Sequence, residues 1–115
     1  MDKINYDRRK FRSVKNSESG NVGDETVFHY HQSGNIVRAE YSGGAIVAGH
    51  LIANCDEDGV LDMRYQHINV SGELMTSNCV STPEIFADNR IRLHEKWQWT
   101  CGDHSFGESI IEEII

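Results

Sequence analysis

Turn-forming residues recur about every ten positions along this 115-residue chain, and that spacing constrains its fold more than any other feature. Strand-length runs span 9–15, 25–32, 36–41, 45–54, 60–69, 72–80, 90–100 and 108–114, separated by NSESGNVG, SGN, SGG, DEDG, VSG, STPE and CGDHSFG. The loops Ser33-Gly34-Asn35, Ser42-Gly43-Gly44 and Val70-Ser71-Gly72 are short. They join antiparallel neighbours, because a parallel crossover needs about a dozen residues. Eight to ten such strands (a count set by the roughly ten-residue period) in up-and-down order would leave two open edges. Closing the sheet on itself removes both.

The segment RIRLHEKWQWT shows the period-two signal most clearly. Ile91, Leu93, Glu95, Trp97 and Trp99 alternate with Arg90, Arg92, His94, Lys96 and Gln98, so one face is apolar and aromatic while the other is charged. The C-terminal ESIIEEII has apolar pairs that would suit a helix, but its β-branched isoleucines favour a strand. The expected fold is all-β: a single antiparallel up-and-down β-barrel of lipocalin-like or streptavidin-like (calycin-like) form. Residues 1–115 make one domain, with 1–7 as a flexible N-terminal tail.

A barrel of about eight strands is either filled by its own side chains or holds one small ligand. The most apolar alternation turns inward Phe28 and Tyr30; Val37, Ala39 and Tyr41; Val47, Gly49, Leu51 and Ala53; Leu61, Met63, Tyr65 and His67; and the Ile91 to Trp99 face. Tyr30, Tyr41, Tyr65, His67 and Glu95 are costly to bury without partners. A barrel serving structure alone would need fewer of them.

Charge and composition narrow the function classes. Lys3, Arg8, Arg9, Lys10, Arg12 and Lys15 face only Asp2 and Asp7, so the first fifteen residues carry +4 and the remainder −11. A body that acidic repels phosphate backbones, which makes nucleic acid a poor partner, and the basic start reads as a solvated first strand. No run approaches the roughly 20 apolar residues of a membrane span, and MDKINYDRRKFRSVK lacks the apolar stretch of a signal peptide, so the expected location is cytoplasmic without a membrane partner. Cys55, Cys79 and Cys101 are widely spaced and read as free thiols.

Several motifs fall short of chemistry. His29-Tyr30-His31 puts two imidazoles on one side of a strand, but that side is opposite Phe28 and Tyr30, and the next acid is Glu40. Both histidines are therefore expected outward, and no metal ligand set is assigned. Asp56-Glu57-Asp58-Gly59 has its glycine too early for a calcium loop and reads as a tight hairpin turn. Gly-rich phosphate loops and nucleophile elbows are missing, so no cofactor is expected. Asp103, His104 and Ser105 are adjacent in a turn, unlike triad members that converge from separate elements.

The remaining candidates are Glu95 and His67. An acid flanked by Leu93 and Trp97 on its own face is a carboxyl of raised pKa, suited to general acid–base work or to a structural hydrogen-bond network. Trp97 and Trp99 on one strand and Tyr65 and His67 on another make an aromatic wall with a few polar groups if their faces converge. The expected ligand-binding residues are Tyr30, Tyr65, His67, Glu95, Trp97 and Trp99.

The segments YSGGAIVAGHLIANCDEDGVLDMRYQHINVSGELMTSNCVSTPE and IRLHEKWQWTCGDHSFGESIIEE resemble a family of short bacterial proteins often labelled N-acetylglutamate synthase, most specifically at LDMRYQH, GELMT and RLHEKWQWT. That resemblance implies a small β-barrel over nearly the whole chain. The α/β fold and pyrophosphate loop of acetyl-CoA-dependent synthases have no counterpart here. The leading expectation is a barrel that encloses a small metabolite. A small enzyme using an inward Glu95 and His67 pair, and a filled interaction domain, are the alternatives.

Overall fold

The computed structural model describes residues 4–16, 23 and 25–114. Among these residues eight strands follow one another: β1 (Lys10–Asn16), β2 (Val27–Ser33), β3 (Ile36–Gly43), β4 (Ile46–Cys55), β5 (Leu61–Asn69), β6 (Leu74–Ile85), β7 (Ile91–Trp99) and β8 (Phe106–Glu113). Each pairs antiparallel with the next, and β8 pairs antiparallel with β1, which closes the barrel. The expected all-β up-and-down barrel is thus the observed fold, and residues 108–113 of ESIIEEII lie in β8. Most of the turn segment NSESGNVG lies outside the described residues.

Alternation follows from the closure, since every second side chain points into the lumen. The buried set includes Phe28, Tyr30, Val37, Ala39, Tyr41, Leu51, Ala53, Leu61, Met63, Ile91, Leu93, Trp97 and Trp99, as the period-two pattern requires. Val47 is the exception: expected inward, it is 59% exposed. Ile46 pairs with Asn69 and Ala48 with the adjacent Ile68, so Val47 is an extra residue in a β-bulge. The bulge shifts the face by one position, burying Ile46 in place of Val47.

Strand β6 also departs from expectation. STPE was expected as a turn, yet β6 runs through Pro83 to Ile85, with Pro83 opposite Leu93. Pairing with β5 ends at Leu61 and Ser81, so beyond that point β6 has a free edge where a proline lacking its N–H is tolerated. The DEDG turn forms as expected: Asp56 Oδ1 accepts from the backbone N–H groups of Asp58 and Val60, both at 2.9 Å, and Gly59 sits at φ +83°.

The expectation of a tail over 1–7 lies partly outside the described residues, at 1–3. Of the rest, Tyr6 is fully buried, its hydroxyl donates to the Gly59 carbonyl at 2.5 Å, and its ring lies 6.0 Å from that of Tyr30. Tyr6, Phe11, Leu61, Ile91 and Leu93 close this end of the barrel with apolar surface.

Candidate functional site

The opposite end is aromatic. Phe28 and Tyr41 stack at 4.8 Å, Trp97 and Trp99 lie 5.4 Å apart, and Tyr65 and Trp99 meet edge-on at 6.1 Å. His67 lies 5.7 Å from both the Tyr41 and Trp99 rings and stacks on Tyr65 at 6.3 Å. Tyr41 holds this group in place: its hydroxyl donates to the Gln66 carbonyl at 3.2 Å and lies 3.0 Å from His67 Nδ1. Only glycine at position 49 permits that seat, because a Cβ there would come within 2.5 Å of the Tyr41 ring and 2.9 Å of His67 Cβ.

Burial pushes the His67 imidazole down to about 4. The phenols of Tyr41 and Tyr65 are pushed up by the same cause.

Deeper in the lumen lies Glu95. Its Oε2 accepts from Ser81 on β6 at 2.6 Å and its Oε1 from Ser109 on β8 at 3.1 Å. Both serines sit directly opposite it in the register. Burial raises the Glu95 pKa, and the two serine hydrogen bonds pull partly the other way. The carboxyl borders an internal cavity of about 30 Å³ shared with Leu51, Met63, Tyr65, Trp97 and Trp99. It also borders an external groove of about 540 Å³ along β1, β6, β7 and β8, lined by Lys15 and Lys96 among others, which accounts for its half-burial. The internal cavity has room for about two waters.

The structure brings four of the six expected site residues, Tyr65, Glu95, Trp97 and Trp99, onto that cavity. His67 stands beyond it, in contact with the Tyr41, Tyr65 and Trp99 rings. Tyr30 packs toward the closed end against Phe11 at 4.7 Å, and its buried hydroxyl has no partner among the described residues. The expected Glu95 and His67 pair is not assembled: the carboxylate is held by Ser81 and Ser109, the imidazole by Tyr41. Their separation follows from the register, which sets Glu95 opposite Ser81 and His67 opposite Met75, six positions along β6.

Sequence reasoning did not single out Ser81 and Ser109 as partners of Glu95. Both precede or sit among residues of turn-like or mixed character, and only the cross-strand register reveals them. His29 is exposed, and His31 lies outside the lumen with Nε2 2.7 Å from Glu40 Oε2.

A family model described as Avidin-like protein matches residues 4–114. No curated protein and no solved structure matches the chain. The family match corrects the expected resemblance to proteins labelled N-acetylglutamate synthase: nothing points to that label, and an avidin-like assignment conflicts with it.

Proposed function

The chain belongs to the avidin-like family, and from that premise we propose that it is a binding barrel whose small-molecule ligand sits against Tyr65, Trp97 and Trp99 with a polar contact to Glu95. Family membership supports small-molecule binding within a barrel. The observation that carries the reading is a cavity walled by aromatic rings into which one half-buried carboxyl projects, the usual make-up of a small-ligand site. A cavity of about 30 Å³ admits a head group, so the rest of the ligand must displace a ring at the aromatic end.

The test is retention. Immobilised protein is exposed to a cell extract, and bound small molecules are identified by mass spectrometry. Met63→Phe, which enlarges a wall side chain at the cavity, serves as the control. The native barrel should retain a species that Met63→Phe does not. Failure of the native protein to retain anything, or equal retention by the variant, overturns the reading.

A further inference from the structure

The walls around the cavity set the charge of what they can hold. Five rings, those of Phe28, Tyr41, Tyr65, Trp97 and Trp99, border it, and aromatic faces attract cations. Among the described residues Glu95 supplies the only carboxyl on the lining, and no lysine or arginine is buried. Ser81 and Ser109 take one acceptor site on each Glu95 oxygen. A carboxylate offers about four such sites, so others stay open. The Tyr30 hydroxyl, 1% exposed and without a partner among the described residues, is a further unused acceptor in the lumen.

An anion entering this cavity would meet the Glu95 carboxylate and, among the described residues, no lysine or arginine on the lining. A neutral amide would satisfy the open acceptors and leave the ring faces unused. A guanidinium or quaternary ammonium is too bulky for room of about two waters.

Resting on the small-molecule reading above, we propose that the cavity takes the ammonium head of a small primary amine, held by the Glu95 carboxylate and the surrounding aromatic faces. A cation beside Glu95 also opposes the burial that raises its pKa, so uptake of the ammonium releases a proton in acid. The titratable groups facing Glu95 inside the barrel are the Cys79 thiol on β6 and the phenols of Tyr30 on β2, Tyr41 on β3 and Tyr65 on β5, and on the external groove Lys15 of β1, His94 and Lys96 of β7 and Glu108 of β8 line the same wall. The thiol and the phenols are pushed up by burial and stay neutral in acid, so inside the barrel the proton comes from Glu95.

The experiment titrates the native protein with methylammonium, acetamide and acetate at matched ionic strength, reading the Met63 methyl resonance and tryptophan fluorescence. Only methylammonium should saturate. Its affinity should fall at least about tenfold in Glu95→Gln, the scale of one lost charge-assisted bond. Should Glu95→Gln fail to fold, proton release by the native protein on methylammonium uptake, with none on acetamide uptake, answers the same question.

Acetamide or acetate binding as tightly as methylammonium, unchanged affinity in Glu95→Gln, or no binding of any probe overturns the ammonium assignment. The retention experiment fails separately. An extract species that is lost in Met63→Phe but held equally by native protein and Glu95→Gln leaves the binding barrel standing and removes the ammonium.

Discussion

The two ends of the barrel use the same alternation to opposite effect. At the end sealed by Tyr6, the side chains of Phe11, Leu61, Ile91 and Leu93 are 0–1% exposed and purely apolar, Tyr6 is tied to the Gly59 carbonyl, and the Tyr30 hydroxyl lies buried beside them. At the other end Tyr41, Tyr65, His67 and Trp99 each carry a polar atom into the lumen, and a cavity persists below them. Apolar side chains can close-pack without being aimed at particular partners. Polar rings must be aimed at partners, and that requirement limits how closely they close up. One end is therefore packed shut, and the other keeps the space that the proposed ligand would occupy.

The largest expected effect breaks this contrast directly. Phe11→Ala at the sealed end should cost about 3–5 kcal/mol, the usual range for an aromatic removed from a packed core. Trp97→Ala removes a larger side chain, yet it should cost less than Phe11→Ala, since part of its surface already faces a cavity and gains little from it. Denaturant unfolding of both variants measures the difference. A Trp97→Ala loss equal to or above that of Phe11→Ala would mean the two ends are packed alike.

How much of this was legible in the sequence follows from the range of the interactions involved. The alternation of Ile91 to Trp99 is local, so it placed Glu95, Trp97 and Trp99 in the lumen correctly. The short loops at Gly34 and Gly43–Gly44 fixed antiparallel neighbours, and a closed barrel followed from their order. The bulge at Val47 was hidden, because an extra residue within a run of small apolar side chains leaves no break in periodicity. Tyr6 was missed as a plug, since a single aromatic among charged neighbours carries no pattern. The serines that hold Glu95 come from strands fourteen residues away on either side, and register across strands is not a property of any one segment. The same limit explains why Glu95 and His67 were expected to meet.

A smaller effect sharpens the contrast through pH. His67 titrates near 6.5 in an unfolded chain and near 4 in the folded one. Between those values the unfolded state holds more protons, so stability is complete above pH 6.5 and falls as the pH drops toward 4. His67→Asn should flatten that part of the profile. A profile unchanged by the substitution would show that His67 is not a desolvated imidazole and that the aromatic end is open to water.

The smallest effect concerns Glu95, where the sign reverses. Its folded pKa stands above the ordinary 4.5, so it is the folded state that holds the extra proton. The stability it contributes is complete below pH 4.5 and is lost as the pH rises through the raised value. Glu95→Gln cannot ionise, and its amide still bonds both serines, because a hydroxyl accepts as readily as it donates. The variant should therefore match the parent in acid and exceed it at neutral pH without ligand, the two stability curves diverging as Glu95 loses its proton. At the sealed end the phenols of Tyr6 and Tyr30 are pushed up by burial and stay neutral from acid to neutral pH, so no such divergence is expected: Phe11→Ala should lower the whole curve evenly. If Glu95→Gln instead matches the parent in acid but proves less stable at neutral pH, the carboxylate has a compensating positive partner in the folded protein. The ammonium would then have no charge left to neutralise.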